Sequence, residues 1–257
     1  MTRGVLLPPE SRVPALAQAI AERGGRFVVV GGWVRDQWRG VASKDLDAEI
    51  FGLSPERIDS LLDAFGSVGR VGQHFPVWRL RHQNLDIGFP RDGSDDYQAD
   101  APDSLRIAFR KAARHRDLTI NAMGWDPIDG TWLDPFEGRA DLEANRLCAV
   151  DPETFGSDPV RGLRVARMRA LLEAEVDRAT IDLCRALDLS STPVERKARE
   201  LQRILTETPR PSLALDLLAE TNLLTEFPVL DDLRGVPQDV RWHPEGDVFI
   251  HTGMVVD

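Results

Sequence analysis

The residues predict an α+β protein, with a mixed sheet and helices over residues 1–138 and an all-helical remainder. Three observations carry this. RFVVV (26–30) reads as a buried strand, broken by Gly31–Gly32 and followed by the helical run WVRDQWR. A second strand over residues 44–51 sets Asp45, Asp47 and Glu49 at alternate positions, with Leu46, Ala48 and Ile50 between them. After TWLDPFEG (131–138) the strand signals stop and helical spacing dominates to the end.

The elements follow in order. Residues 13–23 read as a short helix, and Gly40 closes the helix that begins after the glycine pair. SPERIDSLLDAFG has a proline just inside its start and a glycine past its end, which predicts a helix. VWRLR (77–81) and LDIGF (85–89) read as a hairpin around His82–Asn84. RDGSDDYQADAPDS (91–104) is polar, lacks apolar periodicity and reads as a mobile loop. There is no internal repeat and no low-complexity tract.

A chain of 257 residues, 42% hydrophobic and 29% charged, can bury a real core in one large domain or two to three small ones. No apolar run approaches the roughly 18 residues needed to span a bilayer. MTRGVLLPPESR lacks the apolar core of a secretory signal. Cys148 and Cys184 lie far apart, which favours a reducing compartment, so a cytoplasmic location is expected. A net charge of −10 excludes a uniformly basic coat, yet a local patch can still contact phosphates. The basic residues do group: Arg106, Arg110, Lys111, Arg114 and Arg116; Arg161, Arg164, Arg167 and Arg169; Arg196, Lys197, Arg199 and Arg203. Solvated helix faces also produce such runs.

On a strand Asp45, Asp47 and Glu49 point the same way, with Asp45 and Asp47 about 6–7 Å apart at the backbone. Two such carboxylates can converge on a hard divalent cation. An ordinary half-buried strand with a polar face shows the same spacing. The preceding turn adds weight. In VVVGGWVRD, glycines allow close backbone approach and a helix N-terminus favours phosphate, while Arg35 adds a charge-assisted contact. Phosphate cradle and carboxylate pair together predict a nucleotide site.

GGWVRDQWRG followed by KDLDAEIFGL resembles the head motif of the bacterial tRNA nucleotidyltransferase and poly(A) polymerase superfamily, the class II CCA-adding enzymes and relatives. RHRDLTINAMGWDPIDGTWLDPFEGRADL (114–142) is similar to that family's second block, and SDPVRGLRVARM (157–168) to its nucleotide-recognition block. PRPSLALDLLAETNLLTEFPVL resembles the helical body. HPEGDVFIHTGMVVD resembles the start of an HD phosphohydrolase domain, with His251 in the place of its first metal ligand.

The resemblance implies a DNA-polymerase-beta-type head over 1–138, a helical neck with the recognition motif over 139–205, and a body with the start of the HD domain over 206–257. It implies two-metal nucleotidyl transfer, with Mg²⁺ held by Asp45 and Asp47 and with Asp86 as a third catalytic carboxylate. Glu49 is left outside the metal shell. Gly31, Gly32, Arg35 and Arg116 match triphosphate or nucleotide contacts, and Asp117 either orients neighbours or, with Asn121, supports the turn. Asp158 and Arg161, three apart on one helical turn, imply an acceptor–donor pair for the amine-plus-acceptor edge that cytosine and adenine share, with Arg164 a turn further on. Two departures stand out: Ser157 replaces the family's glutamate before Asp158, and His115 its arginine before Arg116. The implied partners are the tRNA acceptor arm and 3′ end, CTP and ATP, with no membrane; no oligomeric state is implied. The expected activity is addition of C and/or A to tRNA 3′ ends. A poly(A) polymerase and a non-catalytic RNA-binding protein on the same head are the alternatives. The later HD ligands are missing, so no phosphohydrolase activity is expected from this chain, and its end inside the motif reads as a truncation.

Overall fold

The computed structural model describes residues 7, 11–43, 45–71, 77–80, 84–101 and 103–257, with the backbone alone at 67–71. The chain divides into two compact units, residues 1–140 and 141–257. The stretches read from sequence as neck and body both fall in the second, apart from the first two residues of the neck.

The first unit is built on one sheet. Its strands are β1 (Arg26–Val30), β2 (Leu46–Phe51), β3 (Ser67–Val71), β4 (Val77–Leu80), β5 (Leu85–Gly88), β6 (Gly124–Asp126) and β7 (Thr131–Leu133). They lie side by side in the order β3-β4-β5-β2-β1-β6-β7. β2 and β5 run parallel, and the other neighbours are antiparallel. Among the described residues, four helices accompany the sheet: α1 (Val13–Ala21), α2 (Gly32–Arg39), α3 (Pro55–Ala64) and α4 (Ser104–Ala113). β1 lies inside the sheet, between β2 and β6, and buries Phe27 to Val30, which explains its unbroken apolar run. β2 alternates instead, burying Leu46, Ala48 and Ile50 on one face and turning its acids to the other. Lys44, at the start of the expected strand, lies outside the described residues, as do residues 81–83 of the expected hairpin turn. β4 and β5 pair antiparallel, with Arg79 opposite Asp86.

The segment read as a loop at 91–104 contains a 3₁₀ turn, Ser94–Asp96, and is tied to α4. Lys111 Nζ donates to Asp96 at 2.7 Å, and Ser104 Oγ to the Gln98 carbonyl at 2.7 Å. A side chain on Gly93 would come within 2.4 Å of the Ala108 carbonyl, so only glycine lets the backbones approach this closely.

The second unit holds α5 (Gly138–Glu143, which begins in the first), α6 (Pro152–Phe155), α7 (Arg161–Leu172), α8 (Arg178–Arg185), α9 (Val194–Glu207), α10 (Pro211–Glu220), α11 (Pro228–Asp231) and α12 (Val248–Val256). One correction applies. Strand structure does not stop at residue 138, because β8 (Arg146–Leu147) and β9 (Glu175–Val176) pair in parallel. Two-residue strands are too short to print a period in sequence, and pairing across the fold creates them. α7 is the central helix and packs on α9 and α10. Gly162 makes room for Leu187 and Leu223, whose methyls would lie 2.8 and 2.6 Å from a Cβ there. Arg167 of α7 donates to Glu200 of α9 at 2.8 Å, with both side chains buried. Removing one partner of such a pair costs about 3–5 kcal/mol, because the other charge is left stranded.

Candidate active site

The first candidate region forms where β1 runs into α2. Gly31 has φ +75°, a left-handed conformation that glycine tolerates and L side chains rarely adopt. A Cβ on Gly31 would lie 3.3 Å from Arg116 Nη1 and 3.8 Å from Asp47 Oδ2. The turn therefore opens directly onto an acid and a base predicted to act there. Gly32 faces the Arg35 guanidinium, with Nη2 3.5 Å from where its Cβ would be.

The acids come together through strand register. Asp47 pairs across to Val30 at the end of β1, and on its other side to Asp86 of β5. Asp45 precedes the ladder and is exposed, as is Asp47. Neither makes a hydrogen bond or ion pair among the described residues. The Asp47 carboxyl is held above the ordinary aspartate range, chiefly because surrounding protein strips its hydration. Asp86, Asp45 and Glu49 push the same way, and Arg116 opposes them. Asp86 is bound by a two-pronged contact from Arg79, at 2.7 and 2.6 Å. Among these carboxylates, Asp45 and Asp47 are thus the pair open to a ligand.

Two residues outside the predicted set organise the bases. Arg116 donates to Glu49 Oε1 at 2.6 Å and to the Asn121 carbonyl at 3.3 Å. Glu49 Oε2 is buried with no hydrogen-bond partner. Arg35, buried in α2, donates to Asn121 Oδ1 at 2.7 Å and to both Asp36 oxygens at 2.9 and 3.1 Å. Asn121 in turn donates to Asp117 Oδ1 at 3.2 Å, which also accepts from the Leu118 N–H at 2.8 Å. Asp117 therefore supports its own turn and also orients Asn121. The signal for Glu49 was its shared face with the acids; Asn121 carried none beyond its place in HRDLTIN. His115 Nε2 stands 3.8 Å from Asp92.

The second region lies in the other unit. Asp158 sits in the turn before α7 rather than within the helix, and its carbonyl accepts from the Arg161 N–H at 3.0 Å. The pair does share one turn of chain, but their side chains bond to other groups. Asp158 Oδ2 accepts from Arg196 at 2.9 Å, while Oδ1 is buried without a hydrogen-bond partner. Burial works to raise this carboxyl, but Arg196, the Val160 N–H and Arg161 hold it below the ordinary range. Arg161 is buried and donates to the Thr154 and Phe155 carbonyls at 2.6 and 3.3 Å. Arg164 follows on α7, half-buried. Arg196 was legible only as part of a basic run. An ionised carboxylate with a spare buried oxygen is an acceptor for one incoming N–H donor.

Residues 27–148 match the family described as the poly A polymerase head domain. A multifunctional CCA protein of Aromatoleum aromaticum is 38% identical over 249 residues, taking in 90% of this chain and 58% of the relative. The chain thus spans somewhat more than half the length of the curated relative it matches. Among solved structures, the apo form I of a CCA-adding enzyme superposes with TM-score 0.71 at 25% identity, covering 87% of this chain and 54% of that one. The Thermotoga maritima CCA-adding enzyme complexed with tRNA superposes with TM-score 0.72 at 24% identity, covering 86% and 53%, which speaks for the fold alone.

Proposed function

We propose that this chain, whose residues 27–148 carry a poly A polymerase head domain, is a template-independent RNA nucleotidyltransferase of the cytoplasm. It adds C and/or A to tRNA 3′ ends from CTP and ATP, as a CCA-adding enzyme or as a CC- or A-adding specialist. One observation supports this reading above the others: Asp47, in register with Asp86, faces the Gly31 turn that leads into α2. A metal-binding acid beside a phosphate-binding turn is the arrangement that nucleotidyl transfer requires. Among the described residues no helix is long and apolar enough to cross a membrane.

The donor set fits a hard divalent cation, Mg²⁺ by preference, because Asp45 and Asp47 offer oxygen alone and carry no competing hydrogen bond. When bound, the ion supplies charge neutralisation for attack of an RNA 3′-hydroxyl on the α-phosphate, with pyrophosphate leaving. The remaining work belongs to this chain. Gly31 and Gly32 let backbone N–H groups at the start of α2 meet the triphosphate. Glu49 and Asn121 hold Arg116 and Arg35 toward it, so these guanidiniums need little reordering when the nucleotide arrives. The spare Asp158 oxygen accepts the exocyclic amine of C or A, and Arg161 donates to the adjacent ring nitrogen. Uracil and guanine present a carbonyl and an N–H there, so they leave buried polar groups unpaired.

Primer extension with Mg²⁺ tests the proposal. Primers are tRNA ending before CCA, after C and after CC, beside oligo(A), each with single nucleotides and with CTP plus ATP. Addition that stops at CC, at one A or at CCA names the specialist, whereas long A tails on any primer make it a poly(A) polymerase. No incorporation on any primer, with Mg²⁺–nucleotide still binding, overturns catalysis by this chain and leaves a non-catalytic RNA-binding head.

A further inference from the structure

In the first unit, α4 sets a basic stripe beside an apolar pocket. Arg106, Arg110 and Arg114 recur every four residues, so they share one face of the helix over about 12 Å, and all three are exposed. No acid interrupts residues 104–116, in a chain whose net charge is −10. The stripe ends two residues short of Arg116, whose Nη1 lies 3.3 Å from where a Gly31 Cβ would stand. It therefore leads toward the turn that Asp47 also faces.

A pocket of about 290 Å³ opens between the start of this stripe and β7. Ile107, Phe109, Leu133 and Pro135 give it an apolar lining, to which Arg106 and Arg110 add two guanidiniums. Ile107 is 54% exposed, so a flat apolar group placed against it would remove surface from water. Arg110 is fixed in place: it lies over the Phe136 ring, 5.1 Å from the centroid, and donates to the Pro135 carbonyl at 3.0 Å. Asp134, the acid in the wall, is already engaged, accepting from the Gly138 N–H at 2.7 Å and from Arg139 Nε at 2.9 Å. Arg106 stands 3.7 Å from Asp103, an exposed pair that a phosphate can displace at little cost.

We infer that this groove binds single-stranded RNA upstream of the reacting 3′ end, with a base against the apolar lining and phosphates along Arg106, Arg110 and Arg114. The identity of the ligand rests on the nucleotidyltransferase reading. Single-stranded RNA joins flat apolar faces to a regular row of negative charges, and a cationic row beside an apolar pocket complements both. A protein partner fits less well. β7 is an edge strand, yet its three residues offer an added peptide strand few backbone groups. With the 3′-hydroxyl at Asp45 and Asp47, the preceding nucleotides run back along α4. In sequence these arginines form one of three basic runs; only the packing of β7 against α4 sets a pocket beside this one.

Fluorescence anisotropy with oligo(A) and oligo(C) RNA, without Mg²⁺ or nucleotide, measures the groove apart from catalysis. Arg106→Ala and Ile107→Ser, both at exposed positions and each checked by circular dichroism, are expected to weaken binding about threefold or more. Arg106→Ala should also lower the slope of log affinity against log salt by about 0.7, the loss of one phosphate contact. Arg57→Ala, a cation on α3 of the same unit, is expected to bind as wild type does. Photo-crosslinking with thiouridine-bearing RNA gives a readout that needs no variant, with adducts expected on residues 106–110 or 132–135. Wild-type affinity and salt slope in both folded variants, or adducts confined to the second unit, would overturn the groove as an RNA site and leave it to a protein partner. Binding that both variants weaken, with no incorporation on any primer, would keep the groove and remove the transferase reading; incorporation with unchanged affinity would do the reverse.

Discussion

At the start of β2, Asp45 and Asp47 are exposed and have no hydrogen-bonded partner among the described residues, while Asp158, ahead of α7, is half-buried and gripped by Arg196. The two regions place carboxylates under opposite constraints. Next to the Gly31 turn, the surrounding protein and then the neighbouring acids push Asp47 above its ordinary range, against the opposing pull of Arg116. At the start of α7 a guanidinium outweighs burial, so Asp158 falls below its own. A crowded, unpartnered acid is suited to take up a cation. A paired acid with one spare oxygen is suited to accept a single hydrogen bond and to discriminate between donors. Under the proposed function, this difference would separate the chemistry of transfer from the choice of base.

The sharpest way to break the comparison is Asp47→Ala. Incorporation is expected to fall by about 10³-fold or more, since several kcal/mol of charge stabilisation leave with the carboxylate. Circular dichroism should stay unchanged, because relieving like charges does not harm the fold. Single-turnover extension measures this, and a rate near wild type would remove Asp47 from the chemistry.

Next comes the support beneath α7. Glu200→Ala is expected to destabilise the protein by about 3–5 kcal/mol, since it strands the buried Arg167. Replacing both residues with apolar side chains of similar volume should recover most of that loss. Denaturant unfolding reads both, and equal losses in the single and double variants would contradict the argument.

Gly31→Ala should cost about 1–3 kcal/mol, from the positive φ. It should also raise the nucleotide KM, because the new methyl sits 3.3 Å from Arg116 Nη1 and intrudes where Arg116 and Asp47 meet. A variant with wild-type stability and KM would show that the turn relaxes freely.

The smallest effect belongs to Arg196→Ala, expected below about 1 kcal/mol because this pair is partly exposed. The sign with pH is specific. Asp158 is lowered in the fold, so its pairing stabilises above the unfolded value and is lost as pH falls through the folded one. Wild type and Arg196→Ala should therefore differ at neutral pH and converge in acid, as thermal melts across pH would record. In the extension assay, the same variant is expected to loosen selection of C and A over U and G while leaving Asp47-dependent transfer intact.

The sequence alone determined most of the head. Strand, glycine turn, helix and alternating acids follow from local rules: side chains alternate on a strand, glycine permits the positive φ, and an apolar run marks the sheet's centre. The parallel register that sets Asp47 beside Asp86 was not legible, because it depends on hydrogen bonds between strands far apart in the chain. The same holds for Arg79 taking Asp86, Glu49 taking Arg116 and Arg196 taking Asp158. Side-chain partners are chosen by distance in the folded chain, and a basic run reads alike whether it faces water or an acid. Asp158 and Arg161 were placed on one helical turn by spacing, but capping geometry put Asp158 outside the helix and turned Arg161 toward the Thr154 and Phe155 carbonyls. His251 shows the contrast most plainly. In the sequence it is a lone histidine, and only the turn through Gly246 brings His243 and Glu245 beside it.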